Sequence, residues 1–291
     1  MKSFDLVEPA TLDEALALLD PGDSSVRAIA GGTALMLMMK ARVFQPTRLV
    51  SLRRLDGALR GVRDDGRGGL RIGAMTTLSE LERSPQLRAA VPMMSHALRT
   101  LSNVRIRNVA TLGGHLAHGD PHMDLPPILM TLGARICAVS RRGERWIDMN
   151  EFAVGYYQTA IAGDELIQDV EVPAQPAGVC TAYAKFTALS ADDWPAVGVA
   201  VWYRVDAGRI AEARVAVSAA TDRPLRINGA EAVLLGVAAS PHVFAAAADA
   251  AAREIEPLTD IRGTASYKRE MVRVHLRRAL EQAQPTGSAK P

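Results

Sequence analysis

Cysteine is scarce in this sequence of 291 residues, and its scarcity excludes several kinds of metal centre. The two cysteines, Cys137 and Cys180, are far apart and do not form a pair at metal-ligand spacing. They cannot by themselves hold an iron–sulfur cluster or a zinc ion. Because buried, unpaired thiols are typical of proteins in a reducing compartment, we expect a cytoplasmic protein.

Strong charge and long hydrophobic runs are also missing. The formal net charge is only +2, and the arginines are scattered along the chain. Because nucleic acids are bound by clustered cations, we do not expect a nucleic-acid partner. Residues 1–5 are not followed by the apolar segment of a secretory signal. Every longer apolar stretch is interrupted by Arg, Asp or Gly, so no membrane span is predicted.

The composition that remains, 48% apolar and 23% charged residues, is typical of an ordinary globular protein. Helical and strand patterns are mixed along the chain. We predict helices at 12–19, 34–41, 77–82, 93–101, 125–132, 243–255 and 267–282, a hairpin at 61–73, and strands at 26–30, 48–52, 134–139, 165–172, 196–205 and 210–218. Mixed elements with antiparallel pairing predict the α+β class.

Changes of pattern divide the chain into units. The first covers 1–56, because a glycine-rich hairpin pattern begins soon after residue 57. The second covers 57–176 and ends in the segment 174–178, which has the composition of a linker. A third unit covers 177–284, and we expect the remaining residues, 285–291, to be disordered.

Two glycine-rich segments, both predicted to be loops, lie about eighty positions apart: Ala30-Gly31-Gly32-Thr33 and Thr111-Leu112-Gly113-Gly114. A Gly-Gly pair after a buried strand lets the backbone approach an anionic ligand, and adjacent N–H groups can form an anion-binding nest. One such segment is weak evidence, since any tight turn can use it. Neither segment matches a Walker or Rossmann pattern, so a dinucleotide would need another architecture.

The second segment has more polar neighbours than the first. Its threonine hydroxyl and glycine amides could hold a pyrophosphate, and Asp124 could accept from ribose or ribityl hydroxyls. Alternatively, this is a polar turn in which Asp124 caps the next helix, and both interpretations could hold at once. The histidines His115, His118 and His122 suggest a metal, but Gly119 and Pro121 predict a loop without fixed geometry, so no metal site is expected.

The chain resembles a known family at three ordered motifs. Residues 30–42, with Pro46 and 49–50, resemble the first FAD loop of the medium subunits of molybdenum hydroxylases. Residues 107–114, with Pro121 and Asp124, look like their second loop, and 183–186 with 192–195 are similar to the start of their C-terminal domain. The group includes the flavin subunits of aerobic carbon monoxide dehydrogenase and of the xanthine dehydrogenase family.

The resemblance implies a fold like that of the vanillyl-alcohol oxidase flavoproteins. Units 1–56 and 57–176 would be FAD-binding subdomains 1 and 2, and 177–284 a C-terminal α+β domain with an antiparallel sheet. Non-covalent FAD would be bound by Ala30, Gly31, Gly32, Thr33, Ala34 and Leu35 at the pyrophosphate and flavin edge, and by Thr111, Gly113, Gly114, His115 and His118 beside them. Asp124 would bind hydroxyls, Ile167 would pack on the cofactor, and Lys185 would lie near the isoalloxazine, where a cation stabilises reduced flavin.

The sequence departs from the family pattern at several positions. Thr33 and Ala34 stand where many relatives have Gln-Ser or His-Ser. Leu189 and Ser190 stand where arginine is common, which puts a salt bridge there in doubt. No cysteine-bearing insertion is present, so the extra iron–sulfur cluster of the hydroxybenzoyl-CoA reductase branch is not expected.

The implied function is electron transfer, with no catalytic or metal residue in this chain. A large molybdopterin subunit would oxidise the substrate, and a small subunit with [2Fe–2S] clusters would pass electrons to FAD here. FAD would pass them to NAD, oxygen, a quinone or another external acceptor. The assembly would be a dimer of heterotrimers. Two alternatives are a free-standing flavoenzyme, such as a UDP-N-acetylenolpyruvoylglucosamine reductase, and a flavin-free assembly subunit.

Overall fold

The first part of the fold is a small parallel sheet. The computed structural model describes residues 2–285, and for positions 56, 58, 284 and 285 it describes the backbone alone. Strands β1 (Asp5–Val7), β2 (Val26–Ile29) and β3 (Arg48–Ser51) pair in the order β1-β3-β2, and helices α1 (Leu12–Ala17) and α2 (Leu35–Lys40) connect them. The hydroxyl of Thr11 accepts from the N–H of Glu14, and the Glu14 carboxylate accepts from the N–H of Thr11. This capping box begins α1 at its predicted residue.

The second part is an antiparallel sheet of five strands in the order β4-β5-β10-β6-β7. Its elements, in chain order, are α3 (Asp56–Leu59), β4 (Val62–Asp64), β5 (Leu70–Gly73), α4 (Leu78–Arg83), α5 (Pro85–Ala90), α6 (Pro92–Leu98), α7 (Val104–Arg107), α8 (Leu112–Ala117), α9 (Leu125–Leu132), β6 (Arg135–Ser140), β7 (Gly143–Asp148), α10 (Met149–Phe152), β8 (Ala153–Gly155), β9 (Gln158–Thr159) and β10 (Leu166–Val172). Strands β8 and β9 form a separate hairpin beside the sheet.

Helix α9 lies between the second and third parts and is buried along its whole length. Pro126 and Pro127 occupy its first turn, where backbone N–H groups have no partner within the helix. Gly133 ends it with a φ of 71°, a left-handed conformation that glycine adopts without strain. Because α9 packs against helices α6 and α10 of the second part and against strands of the third part, an apolar sequence on all its faces is required.

The third part is an antiparallel sheet in the order β14-β13-β12-β11-β15, with three helices. The strands are β11 (Val179–Phe186), β12 (Val197–Asp206), β13 (Arg209–Ser218), β14 (Leu225–Arg226) and β15 (Gln284–Pro285), and the helices are α11 (Asn228–Leu234), α12 (Pro241–Glu254) and α13 (Ala265–Gln282). Small residues of α12 such as Ala247 and Ala251 let it pack closely on α13 and α11, and α13 covers β11 and β12.

The predicted α+β class is confirmed, and most predicted elements are present within a few residues. The prediction of a loop around Gly113 and Gly114 is wrong, because both residues lie inside α8. Pro285 belongs to β15 instead of the predicted tail, and 286–291 lie outside the described residues. Among the described residues, no helix is long and apolar enough to cross a membrane.

Candidate functional site

A cavity of about 690 Å³ opens where the three parts of the fold meet. This volume lies within the range of roughly 300–1,000 Å³ that is usual for small-molecule and cofactor sites. Its walls come from the segment between β2 and α2, from α8, from the β8–β9 hairpin, and from β10 and β11. All fourteen residues predicted to bind the cofactor line it: Ala30, Gly31, Gly32, Thr33, Ala34, Leu35, Thr111, Gly113, Gly114, His115, His118, Asp124, Ile167 and Lys185.

The first glycine pair is required by packing and by backbone conformation. A Cβ atom on Gly31 would lie 2.1 Å from the carbonyl oxygen of Val109, so the first segment lies against the backbone just before the second one. Gly32 has a φ of 69°, which an L residue adopts only with strain. The pair therefore brings the first segment against the start of α8 and turns the chain into α2.

The backbone after β2 carries a row of N–H donors beside the cavity. Among the described residues, no protein acceptor pairs with the N–H groups of Gly31, Gly32, Thr33, Ala34 and Leu35, and no side chain caps α2. Successive N–H groups around a residue of positive φ form a concave site for an anion. This segment therefore has the unpaired donors that a pyrophosphate requires.

The two glycine amides of the second glycine-rich segment are paired within the protein. The N–H of Gly113 donates to the carbonyl of Ala74 at 2.8 Å, and the N–H of Gly114 donates to the Thr111 hydroxyl at 3.2 Å. To hold a pyrophosphate, as the sequence predicts, these two amides would have to give up or share these bonds. Thr111 caps α8 as an acceptor, which leaves its own hydroxyl hydrogen to donate. Gly113 is needed because a Cβ atom there would lie 2.6 Å from the Cβ atom of Ala74.

His115 places an unpaired polar atom in the cavity wall. Its Nε2 is buried and has no hydrogen-bond partner. Burial lowers the pKa of His115 to about 3, so the ring is neutral. Burial also lowers the pKa of His118, against the opposing charge of Asp120. Within the described chain, no group of three or more metal-ligating side chains could hold a metal ion. The site therefore fits a polar organic ligand with a group for His115 Nε2.

The depressed pKa of His115 predicts acid instability. The unfolded chain takes up this proton near pH 6.5, whereas the folded chain resists it down to about pH 3. Stability from the neutral ring is therefore complete above pH 6.5 and decreases as the pH falls through this window. Denaturant unfolding from pH 7.5 to 4 should show a shallower decline for His115→Gln than for wild type. Parallel declines would contradict the assignment, and the exposed His242→Gln serves as the control.

Asp124 forms a buried ion pair with Lys185 across the second and third parts of the fold. The Lys185 ammonium donates to Asp124 Oδ2 at 3.3 Å and to the carbonyl of Thr100 at 2.9 Å, and the Tyr183 hydroxyl donates to Asp124 Oδ1 at 2.8 Å. Both charged side chains are more than nine-tenths buried. Burial raises the pKa of Asp124, against the attraction of Lys185. Asp124 stands at the N-cap position of α9, as the alternative predicted, but its side chain makes no capping bond.

Several residues of the cavity wall were not identified from the sequence. The β8–β9 hairpin contributes Val154, Tyr157 and Gln158, and Ser102 lines the wall with a φ of 57°. Strand β10 has a β-bulge after Ile167, which interrupts the pairing beside the cavity. The only sequence signal for the hairpin is its Gly-Tyr-Tyr turn, which does not indicate a binding site by itself.

The two positions at which the family commonly has arginine carry no charge here. Leu189 is 88% exposed, and the Ser190 hydroxyl donates to Asp192 at 2.6 Å. No salt bridge can therefore form through these two side chains.

A cavity with a row of free backbone donors, a neutral buried histidine and a buried ion pair defines a protein that binds an anionic organic cofactor. Residues 2–175 match the FAD binding domain in molybdopterin dehydrogenase, and residues 181–283 match the CO dehydrogenase flavoprotein C-terminal domain. The chain therefore belongs to the family of FAD-binding subunits of molybdopterin dehydrogenases.

The relatives described here match nearly the full length of the chain. It is 34% identical to the carbon monoxide dehydrogenase medium chain of Hydrogenophaga pseudoflava, over 96% of both chains. It is 35% identical to the nicotine 6-hydroxylase medium subunit of Paenarthrobacter nicotinovorans, over 94% of this chain and 95% of that one. The carbon monoxide dehydrogenase structure from Hydrogenophaga pseudoflava superposes with a TM-score of 0.92 at 36% identity, covering 97% of each chain. The structure of quinoline 2-oxidoreductase from Pseudomonas putida 86 superposes with a TM-score of 0.90 at 28% identity, again covering 97% of each chain.

These matches confirm three predictions. The fold is an FAD-binding domain followed by a C-terminal domain with an antiparallel sheet. The cofactor class is FAD, and the chain is the flavoprotein subunit of a molybdenum-containing oxidoreductase. This assignment is favoured over a free-standing flavoenzyme and over a flavin-free assembly subunit.

Proposed function

We propose that the cavity holds FAD non-covalently and that the fourteen lining residues form its binding site. The observation that carries the proposal is the row of unpaired backbone N–H groups at 31–35, on the wall of the cavity that also contains the Lys185–Asp124 pair. Backbone donors without protein acceptors suit the pyrophosphate, which needs several donors at once. When bound, flavin can accept electrons one at a time and deliver them in pairs.

The side chains of this chain bind, orient and shield the cofactor. The oxygens of Asp124 keep lone pairs for cofactor hydroxyls beside their bonds to Tyr183 and Lys185. Ile167 is 6% exposed and supplies an apolar surface in the wall. The Lys185 ammonium is a fixed positive charge held by Asp124 and Thr100. Such a charge stabilises the reduced, more negative form of flavin.

The proposed electron path begins and ends outside this chain. The relatives are named as medium chains and medium subunits, which supports an assembly with a large and a small subunit. We propose that [2Fe–2S] clusters of the small subunit donate the electrons and that an external acceptor removes them. Substrate oxidation occurs at molybdopterin in the large subunit, in a cytoplasmic dimer of heterotrimers. Cys137 and Cys180 are free, buried thiols in separate sheets, which supports a donor on another chain.

The proposed domain boundaries are those predicted from the sequence: 1–56, 57–176 and 177–284. The parallel sheet ends with β3 at Ser51, the second sheet runs from β4 at Val62 to β10 at Val172, and the third begins with β11 at Val179. The boundaries at 56/57 and 176/177 therefore fall between sheets, although the first divides α3, whereas the end at 284 divides β15.

Flavin content and activity test the proposal together. The purified chain should carry about one FAD per chain, and acid precipitation should release it into the supernatant. The isolated chain should not oxidise aldehydes, heterocycles or carbon monoxide, whereas the complex with large and small subunits should be active on its own substrate. A flavin-free chain, flavin that stays in the precipitate, or an isolated chain with full activity would each contradict the proposal.

A further inference from the structure

The turn after α8 crosses from the FAD-binding part of the chain to the C-terminal domain. Residues 120–124 contact that domain at several points. Pro121 accepts from the N–H of Ala219 at 2.8 Å, His122 contacts Asp260, and Asp124 contacts Tyr183 and Lys185 on β11. His122 and Asp124 also line the cavity, so this turn is both a domain contact and a wall of the binding site.

His122 lies between two carboxylates. Its Nδ1 is 2.8 Å from Asp120 Oδ1, and its Nε2 is 3.0 Å from Asp260 Oδ2. A neutral imidazole has one N–H and could satisfy only one of these contacts, because its second nitrogen is an acceptor facing an acceptor. The imidazolium ion donates at both nitrogens and satisfies both carboxylates.

Both carboxylates are held in their ionised form. Burial acts to raise the pKa of Asp260, but hydrogen bonds from Lys268, His122 and a backbone N–H lower it to about 2. For Asp120, burial has the same raising effect, and the hydrogen bonds from the His122 side chain and backbone, with a further one from Tyr157, lower the pKa below its usual value. Two ionised carboxylates therefore flank one imidazole.

The charge balance of the cluster supports the same protonation state. Lys268 is 1% exposed and donates to Asp260 Oδ2 at 2.6 Å and to the carbonyl of Ala219 at 2.9 Å. Asp120, Asp260 and Lys268 sum to one negative charge. His118 lies 4.0 Å from Asp120 Oδ2, but burial lowers its pKa and favours its neutral form, so a positive charge on His122 balances the cluster. A buried cluster with an unbalanced charge is costly, so its neutral form is favoured.

We propose that His122 is a positioning residue: as an imidazolium it joins the FAD-binding part to the C-terminal domain and fixes the turn that carries Asp124. The link continues on both sides. Asp120 connects to Tyr157 of the β8–β9 hairpin, and Asp260 connects to Lys268 of α13. Loss of the link would loosen the cavity wall at Asp124 and, through the ion pair, at Lys185. The expected effect on FAD binding depends on the proposed function, whereas the link between the two domains does not.

A double-mutant cycle between His122 and Asp260 tests the link in the full-length chain. His122→Asn keeps a donor near Asp120 and removes the one to Asp260, and Asp260→Asn removes the second carboxylate. Each single variant should raise the FAD dissociation constant by about fivefold or more, and the double variant by less than the product of the two. The flavin midpoint potential should become more negative in His122→Asn. His242→Asn and Asp249→Asn, at exposed and half-exposed positions of α12, are the controls and should change neither value.

The same cycle on the apo chain, followed by thermal unfolding, separates this proposal from the proposed function. In addition, ¹⁵N shifts of the labelled His122 ring in the wild-type chain should show both nitrogens protonated at the pH of the binding assay. A neutral His122 ring would overturn the link. It would also be overturned if the two single variants destabilise the apo chain independently, so that the double variant shows no coupling between them. If the wild-type chain binds no FAD but coupling persists in the apo chain, the link stands and the FAD site proposed for the cavity does not.

Discussion

Replacing Gly31 with alanine should leave the chain largely without FAD and reduce its free energy of unfolding by about 3 kcal/mol. The new methyl group would lie 2.1 Å from the carbonyl oxygen of Val109 and 3.0 Å from the Cα atom of Ala110. Both are backbone atoms and cannot move aside as a flexible side chain could. The segment 30–35 would have to withdraw from α8, and its free N–H groups would leave their places in the cavity wall.

Two glycines provide matched controls for Gly31→Ala. Gly57 lies in α3, and a Cβ atom there would meet nothing within 4 Å, so Gly57→Ala should preserve FAD content and stability. Gly114→Ala is an intermediate case, because its methyl group would meet the Thr111 hydroxyl at 3.1 Å. Flavin absorbance per chain and thermal unfolding should show the smallest loss of FAD and stability in Gly57→Ala, a larger one in Gly114→Ala and the largest in Gly31→Ala. Normal FAD content in Gly31→Ala would show that the two segments can separate without affecting the site.

The sequence predicts the fold well where local signals agree. Thr11 with Glu14 and the prolines of α9 mark helix starts, and the structure has them at those positions. The glycine pairs line the cavity, and packing adds a second requirement for them. Gly31 and Gly113 are needed because their backbones lie directly against other parts of the protein, in addition to any contact with an anion. A sequence pattern does not show whether a glycine allows close approach to another part of the protein or to a ligand.

Long-range contacts account for most of what could not be predicted. The second glycine-rich segment is helical because Thr111 caps it and because the carbonyls of Ala74 and Thr76, distant in sequence, accept its first N–H groups. The sequence predicts a cofactor contact and a helix cap for Asp124, but not its partners Tyr183 and Lys185, which lie about sixty residues away. The acidic partner of His122 in the C-terminal domain is more distant still. Pairing at such separations depends on the assembled domains and leaves no periodic signal.

Lys185→Met should produce the largest loss of stability among the changes at the site, about 3–5 kcal/mol, because it leaves the buried carboxylate of Asp124 without its cation. The carbonyl of Thr100 also loses its donor. Without Lys185, the pKa of Asp124 should rise further, since burial then acts unopposed by that charge. A carboxyl with a raised folded pKa stabilises the fold at low pH and loses that contribution as the pH rises. The deficit of Lys185→Met should therefore shrink as the pH falls toward 4.

The double variant Lys185→Met/Asp124→Asn separates stability from the effect on flavin. Asparagine removes the unpaired charge and keeps an oxygen that accepts from Tyr183, so most of the lost stability should return. The flavin midpoint potential should not return, because the ammonium group is missing from both variants. A loss of about 1.4 kcal/mol in stabilising the reduced form corresponds to about 30 mV for a two-electron couple, and we expect a shift of at least that size to more negative values.

The comparison of the two variants decides between a purely structural lysine and one that also acts on the cofactor. Lys40→Met, at an exposed position of α2, is the control and should change neither stability nor potential. If stability and potential both recover in the double variant, Lys185 serves only to neutralise Asp124. If stability recovers and the potential stays low, the buried pair has two separable roles. Asp124 holds the ammonium in place against the cost of burial, and the ammonium provides the positive charge that stabilises reduced flavin.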